Sequence, residues 1–490
     1  MDPHLDPEAC YRALLARDSR FDGVFYVGVL STGIYCRPIC PAGPPKFKNC
    51  TFLPSAAAAQ QRGFRPCLRC RPELSPGIAG WRGTATTVSR ALYLVSEGAL
   101  NESGIDALAN RLGVTARHLR RLFRHHLGAT PISVAQTHRI LFAKKLLDES
   151  ALTVTEIAMA AGFGSIRRFN AVMQHVFGMP PSRLRRLTEP KPADTTGISL
   201  RLPFSPPYDW HTMIDFLALR AVPGVEAVEA GRYLRTFAID GARGAVAVEP
   251  GRADYLRATI WTRDVGVLGG IIGRLRCLFD LDADLAAIDG HLTNDSALAA
   301  RIQSRPGVRV PGAWDPFELA VRAILAQQVS VRAATTLAGR LVERAGGSLD
   351  SKARGQAAGL HRLFPTPGEL ARADLSGIGI AAKRVHTLRN LAQAMLEDPR
   401  LLRPFESLEA TMERLVSVPG VGPWTAQYIA MRALREPDAF PATDLGLLRA
   451  LEDADGRPTP AQLAGRAEAW RPWRAYGAMR LWMQPSGDAR

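Results

Sequence analysis

Six of the seven cysteines in this 490-residue chain fall within its first 70 residues: Cys10, Cys36, Cys40, Cys50, Cys67 and Cys70, with only Cys277 beyond. The chain opens on an acidic stretch, Met1-Asp2-Pro3-His4-Leu5-Asp6-Pro7-Glu8, with no secretory signal. No apolar run approaches the roughly 18 residues of a membrane helix. The expected compartment is therefore the reducing cytoplasm, with no membrane partner. There, close-set cysteines hold metal or do chemistry before they form disulfides. Cys36-x3-Cys40 and, 26 residues on, Cys67-x2-Cys70 are two close pairs able to supply the four thiolates of one tetrahedral Zn2+ site. From spacing alone this is a structural zinc knob. Pro66-Cys67-x-x-Cys70 also shares half the signature of zinc deaminases. That signature needs a glutamate two residues after an upstream ligand, and Pro38 and Ala42 stand there, so the deaminase reading fails.

The rest of the chain divides by composition and period. Its length suits about three domains. It carries 62 Lys+Arg against 46 Asp+Glu, a formal charge of +16 that points to a polyanionic partner. Residues 83–187 hold 14 of the basic and 6 of the acidic residues, in helical patterns. Glu189-Pro190-Lys191-Pro192-Ala193-Asp194-Thr195-Thr196-Gly197 reads as a linker. Short alternating segments follow from Ile198, such as Tyr255-Leu256-Arg257-Ala258-Thr259-Ile260-Trp261, and imply strands. From about Asp284 the periodicity is helical, as over Pro316–Leu341. The expected fold is a multidomain α+β chain. A small zinc-binding α/β domain spans 1–78, an all-α double helix-turn-helix domain 83–187, a linker 188–197, a β-rich subdomain 198–284 and a helical helix-hairpin-helix domain 285–490.

Within the basic region one pattern occurs twice. Ile105–Phe123 reads as a short helix ending at Leu112-Gly113 and a second helix capped by Thr115. Thr155–Phe169 repeats it, with Gly162 lying 49 residues after Gly113 and Ser165 as the cap. Each second helix exposes arginines near its start, where a recognition helix meets base edges. Together with Phe177-Gly178-Met179-Pro180-Pro181-Ser182-Arg183-Leu184-Arg185-Arg186, the pair resembles the AraC/XylS DNA-binding domain. That resemblance implies promoter binding, with Arg117, Arg120, Arg121, Arg167 and Arg168 as candidate contacts and RNA polymerase as the further partner that activation requires.

The residues flanking the cysteines carry a second resemblance. Phe21-Asp22-Gly23-Val24-Phe25-Tyr26, Ser31-Thr32-Gly33-Ile34-Tyr35-Cys36-Arg37-Pro38-Ile39-Cys40 and Gly63-Phe64-Arg65-Pro66-Cys67-Leu68-Arg69-Cys70 together resemble the N-terminal domain of Ada-type DNA repair regulators. The resemblance implies that Cys36 takes a methyl group from a methylphosphotriester in DNA, with Cys40, Cys67 and Cys70 as the other zinc ligands. A zinc-bound thiol stays deprotonated at neutral pH, and the thiolate is the nucleophile. Arg37, Arg65 and Arg69 are expected near flanking phosphates, and Cys10 and Cys50 as small buried residues.

In the C-terminal half, Leu415-Val416-Ser417-Val418-Pro419-Gly420-Val421-Gly422-Pro423-Trp424-Thr425-Ala426-Gln427-Tyr428 has the form helix, Gly-x-Gly hairpin, helix. Such glycines let backbone amides approach a phosphate, with Val418, Gly420 and Gly422 as the candidate contacts. Phe440-Pro441-Ala442-Thr443-Asp444 follows, the aspartate 16 residues after Tyr428. The combination resembles the helix-hairpin-helix DNA glycosylases. The β-like section, Ala323-Ile324-Leu325-Ala326-Gln327-Gln328-Val329-Ser330 and Trp470-Arg471-Pro472-Trp473 narrow the resemblance to AlkA-type 3-methyladenine glycosylases. It implies Asp444 as the catalytic carboxylate facing an oxocarbenium-like sugar. It also implies Trp424, Tyr428 and Trp482 as a pocket for a flipped, alkylated base. Bifunctional relatives carry a Schiff-base lysine where Trp424 stands, so monofunctional hydrolysis is expected. Gln328 occupies the position of a leucine that fills the duplex gap, and its polarity departs from the pattern. Trp470 and Trp473 are expected in the core, and Asp444 can also cap the helix after it.

Taken together, these resemblances imply an alkylation-damage sensor, transcriptional activator and base-excision enzyme in one chain, acting on double-stranded DNA at alkylated sites and at a promoter. Two rivals are a glycosylase whose zinc and helix-turn-helix modules only tether it, and a regulator whose C-terminal half no longer catalyses. The intact Asp444 argues against the latter. No Pro-Cys-His-Arg string occurs, so O6-methylguanine repair is not expected.

Overall fold

The computed structural model of the chain describes residues 5–76, 86–187 and 197–483, apart from 97, 102, 253, 351–354, 356, 358, 404–406 and 453–455. The expected linker, 188–197, lies outside the described residues except for Gly197.

Helix α1 (Pro7–Ala16) precedes four short strands, β1 (Tyr26–Val29), β2 (Ile34–Cys36), β3 (Cys50–Leu53) and β4 (Arg65–Pro66), with α2 (Ala56–Gln61) between the last two. The sheet order is β3-β1-β2-β4, and only the β2–β4 pair is parallel. Phe25, Tyr35 and Leu53 are fully buried in this small module. Gly28 on β1 lies under Phe64, whose ring a Cβ would meet at 2.8 Å.

Helices α3 (Thr86–Ser96) to α9 (Pro181–Arg186) follow. α4 (Ile105–Arg111) and α5 (Ala116–Leu127) make the first helix-turn-helix, and α7 (Val154–Ala160) and α8 (Ile166–Phe177) the second. Both expected caps form: the Thr115 hydroxyl accepts from the His118 N–H and that of Ser165 from the Arg168 N–H. The turns pass through Gly113 (φ +69°) and Gly162 (φ +75°), left-handed positions that suit glycine. Between the two motifs runs α6 (Pro131–Glu149). The zinc module sits against this bundle. Ser55 donates to the Leu127 carbonyl at 2.6 Å, closing the end of α5. Thr137 on α6 donates to Gln60, which in turn donates to the Tyr35 hydroxyl.

The third part opens with β5 (Ile198–Pro203), α10 (Trp210–Ala218), β6 (Glu226–Glu229), β7 (Arg232–Ile239), β8 (Ala242–Pro250) and β9 (Tyr255–Trp261). The sheet is antiparallel in the order β5-β9-β8-β7-β6. Then come α11 (Leu268–Leu278), α12 (Leu285–Leu292), α13 (Ser296–Ser304), α14 (Pro316–Leu325), α15 (Val331–Ala345), α16 (Pro367–Arg372), α17 (Ala382–Glu397), α18 (Leu408–Val416), α19 (Pro423–Arg432), α20 (Leu445–Ala450), α21 (Pro460–Ala467) and α22 (Arg474–Trp482). The periodic run Pro316–Leu341 is thus two helices rather than one. It breaks at Gln328, whose left-handed φ of +55° reverses the chain without glycine or proline.

One continuous apolar core runs from Ile140 on α6 through Phe169 and Met173 of α8 to Ile271, Ile324 and Leu481. The second helix-turn-helix and the C-terminal half therefore share an interior.

Candidate functional site

Strand β2 ends on Cys36 and β4 runs into Cys67, so the β2–β4 pairing brings the two cysteine pairs together. The Sγ atoms of Cys36, Cys40, Cys67 and Cys70 lie within 4.8 Å of one another. A tetrahedral zinc with Zn–S near 2.3 Å sets S–S separations of about 3.8 Å, so the four thiolates fit one Zn2+. Cys40, Cys67 and Cys70 are buried, whereas Cys36 is half-buried. Arg37 does not reach outward as expected. It is 6% exposed, donates from Nε to Asp22 Oδ1 at 2.8 Å and from Nη1 to the Cys70 carbonyl at 3.0 Å. It braces the ligand loops from inside, and Asp22 neutralises it. Arg65 and Arg69 are exposed. Cys10 is buried, while Cys50 is only half-buried.

Arg117, Arg120 and Arg121 on α5 and Arg167 and Arg168 on α8 are all exposed. The helices are anchored from their opposite faces by Leu119 and Phe123, and by Phe169 and Met173. Each amphipathic helix thus turns a basic face to solvent.

In the C-terminal half the hairpin 417–422 joins α18 to α19. Gly420 (φ +93°) is exposed, and a Cβ on it would be driven into the Thr387 side chain of α17. Val418 is buried, and its N–H donates to the Leu415 carbonyl. Trp424 and Tyr428, one turn apart on α19, stack with centroids 5.4 Å apart and planes 11° from parallel. Trp482, from the end of α22, leans on Tyr428 at 6.2 Å. Asp444 caps α20 and meets these rings. Its Oδ2 accepts from Trp424 Nε1 at 2.9 Å, and its Oδ1 from Trp482 Nε1 at 2.9 Å and from the Leu447 N–H at 3.0 Å. Three donors thus fix a half-buried carboxylate beside a wall of aromatic rings. Trp470 and Trp473 are buried, as expected.

Several supporting residues carried no visible signal in the sequence. Arg432 lies one turn after Tyr428 and donates to its hydroxyl at 2.6 Å, while Arg220 covers the Phe216 ring at 3.7 Å. Burial alone would raise the Tyr428 phenol, but Arg432, Arg220 and Arg322 outweigh it and bring it below its ordinary value. Gly446 leaves room for the carboxylate, since a Cβ there would stand 2.9 Å from Asp444 Oδ1. Gln327 ties the α14–α15 turn to the hairpin, donating to the Gly420 carbonyl and to Thr425, each at 3.1 Å. Only the i, i+4 spacing of Tyr428 and Arg432 could have been read in advance.

Comparison with known proteins covers each part. Residues 9–73 match the metal binding domain of Ada, 108–187 a helix-turn-helix domain, 199–315 the AlkA N-terminal domain and 321–475 the HhH-GPD superfamily of base excision DNA repair proteins. A probable bifunctional transcriptional activator/DNA repair enzyme AlkA of Mycobacterium tuberculosis is 40% identical over 483 residues, 98% of this chain and 96% of the relative. DNA-3-methyladenine glycosylase 2 of Escherichia coli is 36% identical over 285 residues, 57% of this chain and 95% of that protein. Among solved structures, a 3-methyladenine DNA glycosylase from Archaeoglobus fulgidus superposes with TM-score 0.51 at 23% identity, over 58% of this chain and 97% of that one; the likeness is one of fold.

Proposed function

Because this chain belongs to the family of bifunctional transcriptional activator/DNA repair enzymes, we propose that it records and repairs alkylation damage at two separate sites. In the first, Cys36 accepts methyl groups from DNA methylphosphotriesters. In the second, Asp444 directs hydrolysis of the glycosidic bond of alkylated bases such as 3-methyladenine. The observation that carries the second reading is the Asp444 carboxylate held by two indole N–H groups beside the stacked Trp424 and Tyr428. Support for the first is that Cys36, alone among the four clustered cysteines, is only half-buried.

At the first site, zinc, when bound by Cys36, Cys40, Cys67 and Cys70, keeps thiols deprotonated at neutral pH. The Cys36 sulfur attacks the methyl carbon; an S–C bond forms, the methyl C–O bond breaks, and the phosphodiester leaves as its anion. A thioether does not revert, so each chain reacts once. At the second site the damaged base, swung out of the helix, lies against the electron-rich rings, which favour a cationic purine by about 0.5–2 kcal/mol for each good contact. As the C1′–N bond lengthens, Asp444 faces the positive charge on the sugar. A water adds its oxygen to C1′ and gives its proton to Asp444, and the base departs. Trp424 and its neighbours offer no amine, so the product is an abasic site. The hairpin backbone at Gly420 and Gly422 grips the duplex, the helix-turn-helix arginines select a promoter, and RNA polymerase is the partner served there. No helix among the described residues is long and apolar enough to cross a membrane; we place the protein in the cytoplasm with its DNA.

One incubation tests both sites. Methylated duplex DNA should yield free 3-methyladenine and, separately, a single added methyl on the Cys36 peptide by mass spectrometry. Base release with no methyl on any cysteine would favour the tether reading. Methyl transfer without base release would mean that the C-terminal half is catalytically silent.

A further inference from the structure

The segment that runs from α19 to Asp444 turns sharply at its start. Arg435 is left-handed, with φ +57°, and its guanidinium donates to Cys277 Sγ at 3.3 Å and to Asp280 Oδ1 at 3.4 Å. Left-handed backbone at a residue with a side chain is uphill, and it persists where the surroundings over-determine it. Glu436 makes the corner. Its N–H donates to the Ala430 carbonyl at 2.9 Å, and its carbonyl accepts from the Ala439 N–H at 3.2 Å. Beyond the corner the ties come from the C-terminal half. The Pro437 carbonyl accepts from the Ala475 N–H at 2.8 Å, Asp438 accepts from Arg474 Nε at 2.7 Å, and Gln427 Oε1 accepts from the Phe440 N–H at 2.9 Å. The Glu436 carboxylate is tied elsewhere. It is buried, and its Oε1 accepts from Nη2 of Arg90 on α3. α3 belongs to the helix-turn-helix bundle and lies against α11, where a Cβ on Gly269 would stand 3.7 Å from the Ser96 carbonyl. The paired side chains of Arg90 and Glu436 are only 13% and 7% exposed.

We propose that Arg90 is a positioning residue for base excision, supplied by the helix-turn-helix bundle to the loop that carries Asp444. The inference rests on the excision reading above and adds to it a part from outside the C-terminal half. The corner needs a cation. Burial is the largest influence on Glu436 and lifts its carboxyl above the ordinary range; Arg90 opposes it, while Asp438 on the same loop and Glu409 on α18 add like charge. Arg471 and Arg474 nearby are engaged by Asp438 and Glu468. Without Arg90, an ionised Glu436 would be buried and unpaired, which is strongly unfavourable. The side chain then has two escapes. It takes up a proton and stays, or it keeps its charge and swings out to water, drawing the corner with it. Low pH favours the first and high pH the second. Asp444 lies 8 residues further on the same loop. Misplacing a reacting group by about 1 Å costs on the order of a hundredfold in rate.

The full-length protein tests this through single-turnover release of 3-methyladenine. Each variant is read as its rate relative to the unaltered protein at the same pH, from about pH 6 to about pH 9, where unpaired buried carboxylates titrate. Arg90→Met should run close to the unaltered rate at the acid end and fall about ten- to a hundredfold behind it at the alkaline end. Arg90→Lys keeps a cation and should recover most of that loss. Arg90→Met combined with Glu436→Gln leaves no carboxylate to ionise, and its relative rate should no longer depend on pH. An unchanged profile in Arg90→Met would overturn the proposal. So would a lower thermal midpoint with the same loss of rate at every pH, which would make the pair structural only, or a double variant as pH-dependent as Arg90→Met. If the unaltered protein releases no base at any pH, the excision reading itself falls and this inference with it.

Discussion

At Asp444 three donors converge on two oxygens: the indoles of Trp424 and Trp482, and the N–H of Leu447 at the start of α20. Capping and catalysis can be separated there. Asparagine caps a helix as well as aspartate does, so Asp444→Asn should keep α20 folded and lower the thermal midpoint only by the worth of one lost hydrogen bond. Its NH2 group, however, would face an indole N–H, donor against donor, and the negative charge would be gone. Release of 3-methyladenine should fall by roughly 10²–10³ or more in single-turnover assays while DNA affinity persists; near-normal release would remove Asp444 from the mechanism. Cys36 invites a second test. Four thiolates on Zn2+ carry a formal charge of −2, and a methylated Cys36 leaves −1, facing a polyanion. About 1.4 kcal/mol of relieved repulsion is tenfold in affinity, so the Cys36-methylated protein should bind its promoter about tenfold tighter at one fixed, modest salt concentration. Equal or weaker binding after methylation would exclude such a switch. The zinc cluster was legible because it needs one residue type at tight spacing, whereas Asp444 was singled out only through the resemblance that the hairpin before it carries. The inward turn of Arg37 was not, because its partner Asp22 comes from 15 residues upstream and nothing local marks the pair.

Among elements, the Thr115 and Ser165 caps and the glycine turns of the helix-turn-helix pair were readable to the residue, since these are local signals. The break at Gln328 was not. The apolar period continues across it, and what ends α14 is a set of long-range ties from Arg384 and Gln327 rather than a breaker residue. The two hairpin glycines look equivalent in sequence and differ in structure. At Gly420, φ is +93° and a Cβ would be forced into Thr387. At Gly422, φ is −86° and nothing lies within 4 Å of a Cβ. Gly420→Ala should therefore cost roughly 2–4 kcal/mol in urea unfolding and weaken DNA binding. Gly422→Ala should cost less than about 1 kcal/mol, in line with a mild change of N-cap residue. Equal effects at the two positions would contradict this account of the hairpin.

Across the whole molecule the parts are joined by charge as well as by the shared core. Arg71, next to the zinc ligand Cys70, pairs with Glu73 at 3.0 Å and with Asp148 on α6 at 2.6 Å. Lys144 pairs with Asp148, and Lys145 with Glu149 at 2.9 Å. Arg201 on β5 closes the chain, giving Glu149 both its Nε and its backbone N–H at 2.9 Å. Zinc module, helix-turn-helix bundle and C-terminal half meet in this nearly dry cluster, so they are not beads on a string. No pattern in the sequence announces it, because its members come from three distant segments. Burial is the largest effect on Glu149 and would raise its pKa, but Lys145 and Arg201 outweigh it, and the carboxyl sits below its ordinary value. A folded pKa below the unfolded one, about 4.3, contributes stability that is complete above that value and is lost as pH falls through the lower folded one. Glu149→Gln leaves Lys145 and Arg201 facing each other with no counter-charge, a loss of about 3–5 kcal/mol when a buried pair is broken. In the unaltered protein at neutral pH, the helix-turn-helix bundle and the C-terminal half should melt in one calorimetric transition. In Glu149→Gln at the same pH the transition should drop and split, and the acid-induced fall in stability below about pH 4.3 should become shallower. A single transition at an unchanged midpoint in the variant would show that the apolar core alone holds the modules together.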